Sequence, residues 1–422
     1  MSQHYIATPL RRALEKTIKE ARIVAEEGAA DAIRRLGVAE AKAPAYLSDS
    51  EKELRRSLRA HARTLGDRLD SDLNEQEVKR LVEAAAYAHW HRMLFARFLA
   101  ERGLLRHPEH NVPVTLEDCR EIAQEEELAD AWAVAERYAA SMLPAVFRID
   151  DPVLSLTLDP AQGQTLHRLV TDLDGDVFQA EDSLGWTYQF WRVAEKDAAN
   201  KAGVKIGADE ISAVTQLFTE PYMVRFLLHN TLGAWWAGKV LAASPTLAQR
   251  ALDEDALRAA CSPPGYSFDM LRFVKEVDGD DGRWRPAAGE FPGWPKEARA
   301  ITMLDPCCGS GHFLTEALAI LIALRKAEEG LSAPDAVVAA LSENLHGLEI
   351  DGRCVQIAAF AVALTAWRIG GWQALPQPHM PGSAHRRYLW KNSRHSRTVI
   401  LTCGSASRLY TVCSHKHQSS AA

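Results

Sequence analysis

The stretch Asp305-Pro306-Cys307-Cys308-Gly309-Ser310-Gly311-His312-Phe313-Leu314 decides how this chain is read. An apolar lead-in, Ile301 to Leu304, runs into an acid and then into two glycines one residue apart. The apolar run Ala317 to Leu324 follows directly, with helix formers between. The pattern predicts a strand, a tight glycine loop and a helix N-terminus, the parts that bring backbone amides against a ligand. A dinucleotide fingerprint wants a third glycine three residues after the second, and Leu314 stands there. An acid at the strand end repels phosphate and favours a cationic or amino-bearing ligand. S-adenosylmethionine carries both an ammonium and a sulfonium.

Working outward, Leu345 to Ile350 (LHGLEI) predicts a short strand tipped by Glu349 and Asp351. One carboxylate accepts two parallel hydrogen bonds, which suits it to the two hydroxyls of a ribose. The spacing from Gly311 to Glu349 is nearly twice the ~20 residues usual in the nicotinamide fold, which disfavours a dehydrogenase.

The ten-residue run resembles motif I, D-P-x-C/M-G-S-G-x-F/L, of the adenine-N6 DNA methyltransferases. It is most similar to the large enzymes of the BREX phage-exclusion type (PglX type). Ala86 to Leu105, Leu184 to Lys201 and Val214 to Leu228 carry the likeness further, so that it covers, with gaps, residues from about 80 to about 375. The resemblance implies a Rossmann-like S-adenosylmethionine-dependent domain acting on adenine in double-stranded DNA, in phage defence. Val214 to Leu228 corresponds to motif X, which packs against the methionine end of the cofactor. By this match Gln216, Phe218 and Thr219 meet the cofactor, with Thr219 as N-cap of the next helix and Glu220 in its first turn. Asp305, Cys307, Gly309, Gly311 and Phe313 form the motif I contacts, Glu349 takes the ribose, and Ile350 packs on adenine.

The family's catalytic motif, N-P-P-Y/F, follows motif II and positions the flipped-out base. It is missing from this sequence. The one Pro-Pro pair lies in Ser262-Pro263-Pro264-Gly265, upstream of motif I, and reads as a tight turn, with Tyr266 out of register. No catalytic residue is therefore assigned, and the chain is expected to be catalytically incomplete.

The fold expected is α/β. A mostly helical N-terminal region (1–205) precedes an incomplete Rossmann-like methyltransferase domain (206–376, motifs X, I and II), and 377–422 form an aberrant, disordered tail. Residues 1 to about 145 show apolar positions at three- and four-residue spacing, as in Leu81, Ala84, Ala85 and Ala88. Asp49 or Ser50 is expected to cap the helix that follows, through Leu69. Asp150 to Asp182, rich in Asp, Gly and Thr, reads as a connector, and Ser262 to Trp294 as variable surface loop. Trp186, Tyr188, Phe190 and Trp191 read as core rather than a stacking platform for bases, and His89 and His91 as core or solvated residues rather than metal ligands. The candidate nuclease triplets Glu40-Ala41-Lys42 and Glu77-Val78-Lys79 lie in helical context, which disfavours a nuclease.

Charge separates the chain in two. Residues 352–422 hold no acid and nine Lys or Arg, whereas 1–351 hold 40 basic and 56 acidic residues, a net of −16. An acidic body is a poor partner for DNA, whose affinity rests on Lys and Arg replacing counterions, so DNA binding is implied by the resemblance alone. The tail gains Ser, His, Arg and Cys and reads as out of register with the ancestral sequence; a basic arm is the other reading. The seven cysteines form no C-x-x-C pair, no zinc spacing is present, and no apolar run approaches ~18 residues. A cytoplasmic protein without metal or membrane contact is expected. The alternative function is a non-enzymatic interaction module or vestigial subunit docking other phage-defence proteins.

Overall fold

The computed structural model describes residues 5–193, 197, 219–275 and 282–380, with the backbone of two further strands at 399–401 and 410–412. The chain is mostly helical, its strands few and short. It divides into two compact units, Met1–Ala194 and Glu195–Ala422. The boundary expected at 205 lies outside the described residues.

The first unit is built on two long helices. Thr8–Arg35 buries Leu14, Ile18, Ala21, Ala25, Ala29 and Ala32, a three- and four-residue spacing whose small members permit close approach. It packs on Lys79–Glu101, which is buried on every side from Met93 to Leu99 and so forms the hub. Trp191 stacks on Trp90 at 6.4 Å and meets Tyr87 edge-on at 5.6 Å, and Tyr188 and Phe190 are buried beside it. These aromatics are core, as expected; each large buried ring contributes about 2–3 kcal/mol by leaving water. Trp186 is partly buried and donates to Asp182, which also accepts the amide of Ile6.

Two local expectations are corrected. Ser48, not Asp49 or Ser50, caps Asp49–Leu65; it forms a capping box with Glu51, and the helix stops at Gly66 in the left-handed region, four residues short of Leu69. The segment 150–182 is not a connector. It holds a 3-10 turn, Pro152–Ser155, and the helices Pro160–Thr171 and Gly175–Gln179, with Leu166, Val170, Val177 and Phe178 buried. Asp151, Asp159 and Asp174 accept amides as N-caps, and Pro152 and Pro160 occupy first-turn positions. The Asp and Pro residues that suggest loop are helix-start signals here.

The second unit centres on a sheet in which Thr302–Asp305 pairs in parallel with Leu345–Gly347 on one side and Val399–Leu401 on the other; Tyr410–Val412 adds antiparallel outside the latter. Met303 faces Leu345 and Asp305 faces Gly347 across the first pair, so the two strand tips lie level. Residues 377–422, expected to be disordered, thus contribute two three-residue strands. The outer side of Leu345–Gly347 is covered by an isolated bridge from His379, whose carbonyl accepts the amide of Gly347 at 2.9 Å.

Between the parallel strands run the helix His312–Glu329, with Leu314, Ala317, Leu318 and Leu321 buried, and Ala333–Ala339, which widens into a π turn at Ala340–Asn344. Gly352–Gly370 packs on His312–Glu329. The upstream helix Pro221–Leu228 passes through a π turn, His229–Gly233, into Ala234–Ala243. A Cβ on Gly233 would come within 3.0 Å of the Phe268 ring, so glycine lets that ring seat in the turn. The segment 262–294 is more than loop: Phe273–Lys275 pairs with Trp284–Pro286, and Trp284, Phe291 and Trp294 pack on the core. Partial burial of three large aromatics anchors a stretch whose Gly and Pro content suggests surface.

Candidate cofactor-binding site

Strand Thr302–Asp305 ends on a carboxylate only 2% exposed. A buried carboxylate requires hydrogen bonds, and Asp305 Oδ1 accepts the amide of Cys307 at 3.1 Å as the chain turns. The turn is tied to the neighbouring tip: Leu348 N donates to Asp305 O (2.8 Å), and Cys308 N donates to Leu348 O (3.0 Å). Gly311 N then donates to Cys308 O at 2.8 Å and closes the loop.

Both glycines stand where other residues are strained, at φ +52° for Gly309 and +89° for Gly311. They differ in surroundings. A Cβ on Gly311 would lie 3.0 Å from Ala358 Cα on the packed helix, whereas one on Gly309 would meet nothing within 4 Å. Gly311 is required for helix packing, and Gly309 borders open space. Gly311 is also the N-cap of His312–Glu329 and offers no side chain to cap it.

Glu349 comes to this loop from the neighbouring tip. Its Oε2 accepts the amide of Gly309 at 2.9 Å, and its Oε1 accepts those of Ile350 (2.7 Å) and Asp351 (3.0 Å). Asp351 caps Gly352–Gly370 through the amide of Arg353. The structure therefore brings Asp305, Cys307, Gly309, Gly311 and Glu349 together. Cys307 is exposed and Ile350 is 49% exposed beside Glu349. Cys308 is buried, its thiol pushed well up by burial first and by Asp305 and Glu349 next. Phe313, 8% exposed, belongs to the core rather than to the open side of the loop.

The upstream contacts are only partly accessible to description. Gln216 and Phe218 lie outside the described residues. Thr219 is half-buried, and it does not cap the helix as expected: Glu220 is the N-cap, without a side-chain cap bond, and Pro221 opens the first turn. A proline suits that position because the amide it lacks has no partner there in any helix, so the helix starts one residue later than Thr219 would place it.

Four polar residues gain a place here that residue pattern did not give them. Glu316, one turn into His312–Glu329, accepts from Tyr266 and pairs with Arg225 at 3.4 Å, and Tyr266 in turn meets His229 at 2.9 Å. His229 lies in an apolar helix and Tyr266 behind a Pro-Pro-Gly turn; neither spacing points to the other. Among the described residues no group of three or more His, Cys, Asp or Glu could hold a metal ion, and no helix is long and apolar enough to cross a membrane.

No family model matches the chain. Over 228 residues, 53% of this chain and 17% of the relative, it is 32% identical to the adenine-specific methyltransferase PglX of Lacticaseibacillus casei (strain Zhang). Over 331 residues, 71% of this chain and 25% of the relative, it is 28% identical to the adenine-specific methyltransferase BrxX of Escherichia coli O9:H4 (strain HS). Solved structures include the type ISP restriction-modification enzyme LlaBIII bound to DNA (14% identity, 92% of this chain, 20% of that one, TM-score 0.37) and the DrdV–DNA complex (12%, 94%, 30%, TM-score 0.39). Those structural likenesses are too low to bear on fold or function. In sequence this chain is a relative of the adenine-specific methyltransferases PglX and BrxX, similar to a segment amounting to 17–25% of their length.

Proposed function

We propose that this chain carries the S-adenosylmethionine-binding part of a DNA adenine-N6 methyltransferase of the phage-defence type, an incomplete Rossmann-like domain behind a helical N-terminal region. One observation carries the reading: the glycine loop and the acid of the next strand tip meet, Gly309 N–H on Glu349 Oε2 at 2.9 Å. Two parallel strands ending level, a loop whose open side is Gly309, and a carboxylate beside an exposed Ile350 suit an adenosine with a cationic tail.

In this reading Glu349 receives the ribose and Ile350 covers one adenine face. Gly309 lets the backbone approach, Gly311 seats the helix behind the loop, Cys307 borders its open side and Phe313 supports it from the core. Asp305 favours the ammonium end, and Gln216, Phe218 and Thr219 line the methionine end. A carboxylate offers about four acceptor positions, and three amides already occupy Glu349. A ribose therefore takes the remaining position and competes with the Gly309 amide for a second. Bound S-adenosylmethionine would supply an electrophilic methyl group.

Nothing in this chain matches the family's N-P-P-Y/F. Pro263-Pro264 is a turn closed by Gly265 at φ +88°, and the Tyr266 hydroxyl is engaged by Glu316 and His229. The chain on its own is therefore proposed to bind cofactor without transferring methyl, with double-stranded DNA as the substrate of the full-length activity.

Titration calorimetry tests this. Micromolar binding of S-adenosylmethionine, weakened at least about 100-fold by Glu349→Ala (about 2.7 kcal/mol), is the expected result. No heat with the wild-type chain would leave the non-enzymatic interaction module in its place. Labelled methyl appearing in DNA with this chain alone would overturn the assigned incompleteness.

A further inference from the structure

The Tyr266 hydroxyl stands at the junction of three segments of the second unit. His229 Nδ1 accepts the amide of Met270 at 3.1 Å, which puts the ring proton on Nε2. Nε2–H then donates to the Tyr266 hydroxyl at 2.9 Å, and that hydroxyl donates to Glu316 Oε1. The chain has one polarity, and every member has a partner. Arg225 reaches the same Glu316 oxygen at 3.4 Å, with Asp269 at 3.9 Å on its other side.

His229 is fully buried and Glu316 nearly so, at 14% side-chain exposure. Burial, followed by Arg225, holds His229 neutral, its pKa lowered to about 4, and burial together with Glu316 pushes the Tyr266 phenol up. Phe268 backs the histidine at 5.3 Å and seats against Gly233. Asn230 adds two more ties to the same loop, donating to Met270 O at 2.8 Å and accepting from Arg272 N at 3.0 Å.

Position gives this network a consequence. Arg225 and Glu316 each lie about one turn inside the N-termini of their helices, Pro221–Leu228 and His312–Glu329. Apolar faces alone let two helices slide, whereas a satisfied polar network in a low-dielectric interior has one arrangement. The link therefore fixes the axial register of the two N-termini, one leading from Thr219 and the other from Gly311.

We infer that Tyr266 is a positioning residue: through His229 and Glu316 it sets the upstream helix against the glycine-loop helix and so places Thr219, at the start of the upstream helix, toward the cofactor's methionine end. This rests on the cofactor reading above. Its role is distinct from that of Glu349, which in that reading holds the nucleoside end.

Ligand-observed NMR on the full chain, with S-adenosylmethionine and adenosine as separate probes, tests the assignment. Tyr266→Phe keeps the ring and removes the hydroxyl. It should weaken S-adenosylmethionine about tenfold and leave adenosine within about twofold, because only the methionine end depends on register. Glu316→Gln still accepts from Tyr266 but loses its charge toward Arg225, and should give a smaller loss of about threefold, again confined to S-adenosylmethionine. Equal losses for both probes mark a merely structural contact and overturn the inference, as does no loss for either. If Tyr266→Phe does not fold, Glu316→Gln decides alone. Loss of both probes in Glu349→Ala with no effect of Tyr266→Phe sinks the register role and leaves the cofactor reading standing. A wild-type chain that binds neither probe sinks both.

Discussion

The helical unit satisfies buried polar groups with a device that the tip of the sheet does not use, beside amide-collecting carboxylates, such as Asp182, that both share. In the first, arginines carry donors to helix and loop carbonyls: Arg97 to Val170 and Leu173, Arg102 to Phe178 and Ala180, Arg55 to Gly37, Arg59 to Val38. In the second, carboxylates collect amides: Asp305 from Cys307, Glu349 from Gly309, Ile350 and Asp351, Asp351 from Arg353. An arginine threaded among carbonyls is a staple, with its stem packed and its head fully used. A short acid at a strand tip holds a loop in place yet keeps part of its capacity toward open space. The first arrangement resists change, and the second can exchange one partner for another.

The comparison can be broken most forcefully at Arg97. Arg97→Ala takes a donor from the Val170 and Leu173 carbonyls, leaving Val170 with the long bond from the Leu173 amide, and removes the guanidinium lying 4.7 Å over the Phe178 ring. We expect a loss of about 3–5 kcal/mol in urea denaturation. A loss under about 1 kcal/mol would mean that these arginines are not staples.

Acid should weaken both units. His91 in the first unit and His229 in the second are buried, His89 in the first is half-buried, and burial lowers each to about 4. Burial also raises Glu136 of the first unit to about 7, which offsets one of its two histidines. In the unfolded chain the histidines titrate near the ordinary value of about 6.5. Below that pH the unfolded chain takes up protons that the native chain refuses until about 4, so stability falls as pH falls through this window. The slope is about 1.4 kcal/mol per pH unit for each histidine, and it is absent above about pH 7. Denaturation midpoints between pH 7 and 4 check the sign; a stability that rises on acidification contradicts it.

The smallest effect sharpens the contrast within the loop itself. Gly309→Ala costs only the positive-φ penalty, about 1–2 kcal/mol, whereas Gly311→Ala adds a clash with Ala358 and should cost about 1–3 kcal/mol more. Equal costs in thermal denaturation would show that Gly311 is not held against the neighbouring helix.

The glycine loop and the acid at 349 were legible because their requirements are local. Positive φ selects glycine, and a strand tip leaves an acid beside the loop of its neighbour. The aromatic core around Trp191 was legible for the same reason, through helical spacing. What sequence concealed was non-local or ambiguous. Asp151, Asp159 and Asp174 with Pro152 and Pro160 suit a loop and a helix start equally, and only burial of Leu166 and Phe178 decides between them. Trp284, Phe291 and Trp294 stand among glycines and prolines, and their packing depends on a core assembled from elsewhere in the chain. The link from His229 to Tyr266 to Glu316 joins residues 37 and 50 positions apart, with no period connecting them.

The two adjoining cysteines have a practical outcome. Cys307 is exposed while Cys308 beside it is buried, and the other three described cysteines, Cys119, Cys261 and Cys354, are buried as well. A maleimide dye would thus attach at Cys307 in preference to those four, two residues from Gly309. With Cys403 and Cys413 replaced by serine, the loop carries its own handle for fluorescence, and a change in emission would report on its rearrangement.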